Sequence, residues 1–382
     1  MKYIRNKFPM LKKIIYLDNA ALVMKPVSAI KASDDFYRKY SVSSRTDNSE
    51  IGIYNNLLMK RVKTKTAQLL NCNTNEIIFT SGTTDSLNKI ALMMQDIVKK
   101  NDEILIHAFN HASNMTPWID LANICKAKVV ITDDILNKIS NKTKIIALAQ
   151  ETNNMNIKQE IEEIYKKAKE INAYVINDAA QAIIYQKVTF ENCDVIAFST
   201  NKLYGPTGFG VLAIKNNLLN KLKPKYTGGG TIKNVDGNNC NYTLNKNNLF
   251  EAGTPNLAAY HMFDKSLDFV NELDYKEVQK KLDNLSIYAY KKLSQIRDIK
   301  LYNDKKSHII MFNIGRYNPQ DIAHYLATQN IYVRSGIFCA HYLQKITNET
   351  SFVRVSLAIY NNKSDIDKLV EALKNGGDFL VL

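Results

Sequence analysis

Three short stretches of the chain carry residue types whose setting allows chemistry. The first is Ser81-Gly82-Thr83-Thr84-Asp85, between an apolar strand and an amphipathic helix. Unpaired backbone N–H groups and the positive dipole end of a helix start favour a phosphate there, although ordinary capping by Ser or Thr explains the same residues more simply. The second is Tyr174-Val175-Ile176-Asn177-Asp178-Ala179-Ala180-Gln181, an apolar strand that ends in a carboxylate. That edge of an open α/β sheet is where ligands bind, and an aspartate there also serves as a helix cap. The third is Asp194 to Lys202, a buried strand ending in an amine, followed by Leu203-Tyr204-Gly205-Pro206-Thr207-Gly208. Loop lysines are mostly solvated, but this glycine and proline turn holds the amine beside the strand ends, facing the crevice of Asp178.

A phosphate cup, a carboxylate and an amine are together the parts that pyridoxal 5′-phosphate requires. The carboxylate keeps the pyridine nitrogen protonated, so that the ring accepts electrons from a substrate α-carbon. The lysine holds the cofactor as a Schiff base and, once released by an amino acid, moves the α-proton.

The elements that must position these groups alternate between helical and strand periods, the pattern of an α/β domain with a largely parallel sheet. After Thr84, the residues Leu87, Ile90, Ala91, Met94, Ile97 and Val98 share one helical face. Strands are expected at 103–107, 129–132, 144–149, 174–177, 194–199 and 208–214, with a helix carrying Ile157, Ile161, Ile164, Ala168 and Ile171 among them. Residues 233–249 are polar and asparagine-rich and are expected to form a loop with no element of its own. Long helices follow over roughly 256–298, then strands at 308–313, 331–334 and 352–357 around a helix opened by Pro319. The last helix is expected to start at Ser364 as cap and to stop at Gly376-Gly377. The resulting division is a large domain, 15–255, and a smaller C-terminal α/β domain, 256–382, with 1–14 packing on the latter.

Composition agrees with a soluble folded enzyme of more than one domain: 382 residues, 45% hydrophobic and 23% charged, with little glycine or proline. The net charge of +14 is spread along the chain with no block of like charges, so nucleic acid is not an expected partner. No apolar run reaches the roughly 18 residues of a membrane span, and Met1 to Lys13 lacks the apolar stretch of a secretory signal; a cytoplasmic protein is expected. The five cysteines, Cys72, Cys125, Cys193, Cys240 and Cys339, are far apart and contain no CxxC pair, which indicates neither a metal site nor a disulfide framework.

A series of motifs runs in one order along nearly the whole chain, from about residue 15 to the end. They are Asn19-Ala20-Ala21, Gly82-Thr83-Thr84, His111-Ala112-Ser113-Asn114 with Pro117-Trp118, and Asp178-Ala179-Ala180-Gln181. They continue with Ser199-Thr200-Asn201-Lys202-Leu203-Tyr204-Gly205-Pro206, Phe250-Glu251-Ala252-Gly253-Thr254-Pro255 and Arg334-Ser335-Gly336-Ile337-Phe338-Cys339-Ala340. In this the sequence resembles the class V, fold-type I enzymes that use pyridoxal phosphate, and among them the NifS-like cysteine desulfurases of the SufS-like group. The resemblance implies that Lys202 is the Schiff-base lysine and Asp178 the partner of the pyridine nitrogen. His111 stacks on the ring, and Gln181 and Asn153 hydrogen-bond on its phenolate-oxygen side. Thr83, Thr84, Ser199 and, from a neighbouring subunit, Thr254 hold the phosphate, which implies a homodimer. Arg354 clamps the carboxylate of L-cysteine, with Arg334 as a second substrate-binding arginine, and Cys339 is the nucleophile that takes the sulfur as a persulfide.

Simpler readings exist for each: His111 as a core or surface histidine, Arg354 as a strand-edge charge, Cys339 as one more inert cysteine. Cys339 is distinguished by a Ser-Gly loop after a strand bearing Arg334, since a thiolate near positive charge is the reactive form. Three positions depart from the family pattern. Asn201 stands where relatives carry a histidine that contacts the phosphate, Ile337-Phe338 replaces a His-rich pair, and Asn156 replaces a glycine. The expected activity is conversion of L-cysteine to L-alanine, with sulfur passed to an acceptor protein for iron–sulfur clusters or thiolation. Selenocysteine lyase or another class V activity with Cys339 incidental is the alternative within the class, and a basic nucleic-acid-binding protein on a dead scaffold the alternative outside it.

Overall fold

The computed structural model describes residues 4–46, 48–243 and 249–376. A two-residue strand, β1 (Ile15–Tyr16), precedes the strands of the main sheet. These are β2 (Ile77–Thr80), β3 (Glu103–His107), β4 (Lys128–Thr132), β5 (Thr143–Ala149), β6 (Tyr174–Asp178), β7 (Val195–Ser199) and β8 (Gly210–Ile214). They form a seven-stranded sheet in the order β2-β8-β7-β6-β5-β3-β4. The pairs from β4 through β7 are parallel, whereas β8 runs antiparallel to both β7 and β2. The C-terminal ends of β2, β3, β5, β6 and β7 therefore meet at one edge, joined there by the start of β8.

The strands are almost continuously apolar because both faces are covered. Alternation at period two divides them. Ile146, Leu148, Val175 and Ile196 pack with Leu58, Ile164 and Phe263 of helices Glu50–Leu70, Ile161–Glu170 and Leu257–Asn271. Ile145, Ala147, Ile176 and Val195 pack on the other side with Leu87, Ile90 and Trp118 of helices Thr83–Met93 and Thr116–Cys125.

Some boundaries differ from the sequence expectation for local reasons. The helix assigned from Ile157 begins at Ile161, because Glu151 and Lys158 close a β-bridge that keeps the intervening segment irregular. The helix after Thr84 ends at Met93, and Ile97 and Val98 reach the core through a 3-10 turn, Met94–Asp96. The asparagine-rich stretch is not featureless: β9 (Ile232–Asp236) and β10 (Asn239–Tyr242) form an exposed antiparallel hairpin. Its two-residue connection is Gly237-Asn238, with Gly237 at φ 57°, the chemistry a tight hairpin turn needs. Positions 244–248 of that stretch lie outside the described residues.

The C-terminal part opens with helices Leu257–Asn271 and Tyr275–Leu293. The remaining strands are β11 (Ile299–Leu301), β12 (Ile309–Ile314), β13 (Ile331–Tyr332), β14 (Arg334–Gly336) and β15 (Phe352–Ser356). They build a four-stranded antiparallel sheet, β11-β12-β15-β14, while β13 pairs with β1 instead. The expected strand 331–334 is thus two short strands on different partners. The last helix, Lys363–Asn375, is capped by Asn362 and not Ser364: Asn362 accepts from the Asp365 N–H, and Asp365 accepts from the Asn362 N–H in return. It ends at Gly376; Gly377 lies outside the described residues. The N-terminal turn is tied to this helix by an ion pair of 2.8 Å between Arg5 and Asp365. No described helix is long and apolar enough to cross a membrane.

Candidate active site

A cavity of about 200 Å³ opens at the C-terminal edge of the main sheet. Its walls include Thr83, Thr84, His111, Asn153, Asp178, Gln181, Ser199 and Lys202, eight of the residues expected from the sequence, brought in from five separate stretches. Asn201 and Ser113 also line it.

The start of helix Thr83–Met93 supplies one end. The Thr83 N–H donates to Ser199 Oγ at 2.7 Å, the Thr83 and Ser199 hydroxyls lie 2.8 Å apart, and the Thr84 and Ser113 hydroxyls 2.7 Å apart. Hydroxyls and helix N–H groups gathered at a positive dipole end make an anion cup. The sheet permits this only because residue 210 has no side chain: in β8 it pairs with both Thr80 and Ser199, and an added Cβ would lie 2.5 Å from the Gly82 Cα. Gly210→Ala is expected to cost about 1–3 kcal/mol by overpacking and to weaken phosphate-dependent cofactor retention. Thermal unfolding and equilibrium dialysis of the cofactor measure the two effects.

Asp178 ends β6 and is buried, with Oδ1 accepting from the Ala180 N–H at 3.0 Å. The cap reading is therefore true of one oxygen. Burial pushes its carboxyl above the usual range, and the Ala180 N–H and the charge of Lys202 oppose that. A pyridinium partner would restore the charged form. Lys202 closes the turn Thr200–Lys202 after β7. Thr200 fixes this turn: its hydroxyl donates to the Pro206 and Phe209 carbonyls, and its own carbonyl accepts from Leu203 and Gly205. Burial lowers the Lys202 amine, with Asp178 the largest opposing charge, which favours the neutral nucleophilic form.

His111 is held at about 4, chiefly by burial and then by the charges of Lys202 and Arg354. Its Nδ1 accepts from the Ser113 N–H at 3.2 Å, so the ring is a neutral flat surface on the cavity wall. Gln181 donates to the Ala20 carbonyl at 2.8 Å, which brings the Asn19-Ala20-Ala21 motif to the site.

Arg334, Arg354, Cys339 and Thr254 are not among the cavity walls. Arg354 is buried in β15, where Nη1 donates to the Asn153 carbonyl at 2.9 Å and Nη2 to Asp18 at 2.7 Å. Its guanidinium stacks 4.5 Å from the Phe338 ring centroid, and Arg334 reaches the other Asp18 oxygen at 3.8 Å. In this structure one arm of the guanidinium expected to clamp a substrate carboxylate holds a carboxylate of the chain itself, and the other a backbone carbonyl. Asn153 donates its amide to the Phe338 carbonyl, 3.0 Å away.

Cys339 is exposed, and Phe338 and Cys339 both have φ near 55°. Two successive non-glycine residues in the left-handed region cost about 1–2 kcal/mol each, so the loop is strained and held from outside. The clamps are Asn153 and the Ala112 N–H, which donates to the Cys339 carbonyl at 2.7 Å. Burial raises the thiols of Cys72, Cys125 and Cys193, to about 12 for Cys72, and leaves them inert; Cys240 sits on the exposed hairpin. Thr254 lines a different cavity of about 500 Å³, with Arg45 and Glu251.

Sequence reasoning overlooked Asp18, Ser113 and Glu151. Ser113 was within reach, since it stands inside the His111 motif; Asp18 lies 336 positions from Arg354, and no spacing announces the pair.

The family model of the class-V aminotransferases matches residues 15–369. The chain belongs to this family. Among its class-V relatives, a probable cysteine desulfurase of Ureaplasma parvum is 35% identical over 378 residues, covering 95% of this chain and 94% of the relative. One from Mycoplasma genitalium is also 35% identical, over 95% and 93%. A crystal structure of an Escherichia coli cysteine desulfurase superposes with a TM-score of 0.90 at 28% identity, covering 97% of both chains. That of Thermococcus onnurineus gives 0.93 at 26%, over 98% and 97%. Both superpositions extend over nearly the whole length of this chain, so the fold is shared from end to end.

Proposed function

We infer that this class-V enzyme is a cysteine desulfurase that uses pyridoxal 5′-phosphate, releases L-alanine and keeps the sulfur as a persulfide on Cys339. The observation that carries the reading is the docking of the Cys339 loop, through Ala112 and Asn153, on the rim of the cavity that holds Lys202 and Asp178. The cofactor fits: a hydroxyl-rich helix start, a buried carboxyl with one oxygen already held, and an amine whose charged form burial disfavours all line the cavity. When bound, it supplies an electron sink that makes the substrate α-proton acidic and the C–S bond labile.

The chain's own residues do the rest. Lys202 is freed by the incoming amine and then takes and returns protons at the α-carbon. The Arg354 fork orients the substrate carboxylate, which takes the place of Asp18, with Arg334 beside it. The Cys339 thiolate attacks the substrate sulfur: an S–S bond forms, the C–S bond breaks, and its electron pair stays with the carbon skeleton, which Lys202 protonates to alanine. L-cysteine plus the Cys339 thiol thus gives L-alanine plus the Cys339 persulfide, and atoms balance.

In this reading the chain divides at about residue 255 into a cofactor-binding unit, 15–255, and a smaller unit, 256–382. Thr254, in its separate cavity, serves the site of a second copy. Exposed Val27, Ile30, Ile53 and Leu57 on the nearby helices 27–35 and 50–70 support a homodimer. The persulfide goes to an acceptor protein for iron–sulfur cluster assembly or thiolation.

The test is product analysis with L-cysteine. Alanine and sulfide in equal amounts in the presence of a thiol reductant are expected; a keto acid in place of alanine overturns the reading in favour of transamination.

A further inference from the structure

At the cavity wall lies an acid–base pair that the mechanism above does not use: Glu151 lines the cavity itself, while its partner His308 is not among the lining residues. Glu151, just past β5, and His308, just before β12, are both buried, with Glu151 Oε1 3.4 Å from His308 Nδ1. Glu151 Oε2 accepts from Gln186 at 2.6 Å, and the His308 ring packs on Tyr185 with centroids 4.2 Å apart. Glu151 Oε1 and His308 Nε2 have no hydrogen-bond partner. Buried polar groups left this way are costly unless they serve each other.

The pair's place in the chain gives it a task. Glu151 leads through Thr152 to Asn153, whose side chain holds the Phe338 carbonyl and whose own carbonyl receives Arg354. His308 is tied into the C-terminal sheet: its carbonyl accepts from Leu357, one residue beyond β15, where Arg354 sits. One contact thus joins the main sheet to the sheet that carries the substrate arginine, beside the residue that holds the cysteine loop. We propose that Glu151 and His308 form a buried latch that fixes the 151–153 segment against the C-terminal sheet, making both positioning residues for sulfur transfer to Cys339. Burial holds Glu151 up to about 7 and His308 down to about 3, with Lys158 the nearby charge acting on both. Burial thus disfavours the charged form of each group, and the 3.4 Å approach of Glu151 Oε1 to His308 Nδ1 is the contact that links the two segments.

The proposal rests on the desulfurase reading for its kinetic part only. Its test compares holoenzyme carrying Glu151→Leu, Glu151→Gln or His308→Phe by steady-state kinetics and by backbone hydrogen exchange. E151L and H308F are expected to lower kcat about tenfold with KM for L-cysteine nearly unchanged. They should also speed exchange of the Ala112 amide, which reports the Cys339 loop, about tenfold. Cofactor absorbance and borohydride trapping at Lys202 stay as in the parent, and so does exchange in helix 363–375. E151Q keeps an N–H donor toward His308 and is expected within twofold of the parent in both readouts. Unchanged Ala112 exchange in E151L and H308F overturns the latch, as does exchange that accelerates equally in helix 363–375. Should E151L fail to fold, H308F, which retains the packing on Tyr185, decides by the same readouts. If the parent enzyme makes no alanine, the desulfurase reading falls while the exchange result still judges the latch.

Discussion

Lys202→Ala is expected to give a protein that binds pyridoxal phosphate only reversibly, loses the adduct trapped by borohydride, and turns over L-cysteine at least about 10³-fold more slowly. Two functions vanish together: the covalent hold on the cofactor and the base at the α-carbon, each worth orders of magnitude. Stability should move little in the unfavourable direction. Lys202 is half-buried, that burial lowers its amine, and no ion pair among the described residues compensates, so its removal relieves desolvation. Visible spectra before and after dialysis, with peptide mapping after reduction, measure the outcome; a trapped label at any other lysine would refute the assignment.

Cys339→Ala separates the second half-reaction from the first. The variant should keep its colour and its spectral response to L-cysteine, yet lose persulfide formation and sulfide release by about 10²-fold or more. Because Cys339 is exposed, unfolding should change by less than about 1 kcal/mol. Cys339→Gly should even stabilise slightly, since glycine meets φ near 55° without penalty. Undiminished sulfide release in either variant would show that Cys339 is incidental; burial raises the thiols of Cys72, Cys125 and Cys193, and Cys240→Ala is the control for the other exposed cysteine.

The parts of the site that were legible in the sequence are those fixed by local rules. Asp178 and Lys202 each end an apolar strand, Thr83 opens a helix, and the turn at Gly205-Pro206 holds Lys202 by contacts within ten residues. Strand positions in the main sheet were legible because burial on both faces leaves continuous apolar runs. What stayed hidden depends on contacts across hundreds of positions. The Asp18–Arg354 ion pair, the Asn153–Phe338 clamp and the Glu151–His308 pair are set by how the two sheets meet, which no local spacing encodes. The hairpin at 232–242 was hidden for another reason. Its strands bury nothing, so the hydrophobic alternation that marks a strand is absent, and only the Gly237-Asn238 turn signalled it. The long helix Glu50–Leu70 was not read from the sequence at all, since its apolar residues are divided between a buried and an exposed face.

The placement of Arg354 has a consequence for which amino acids the enzyme tolerates. β15 is an interior strand, paired to β12 on one side and β14 on the other, so the backbone under Arg354 is bound on both flanks. With Arg354 as the proposed anchor for a substrate's acid group, that anchor is accordingly the immovable end of a yardstick, and the proposed sulfur-accepting turn, tied down by Asn153 and Ala112 and not by a sheet, is the end with more give. Swapping sulfur for the larger selenium asks only the adjustable end to yield, whereas lengthening the substrate by one methylene between acid and amine shifts the α-carbon off the mark for Lys202.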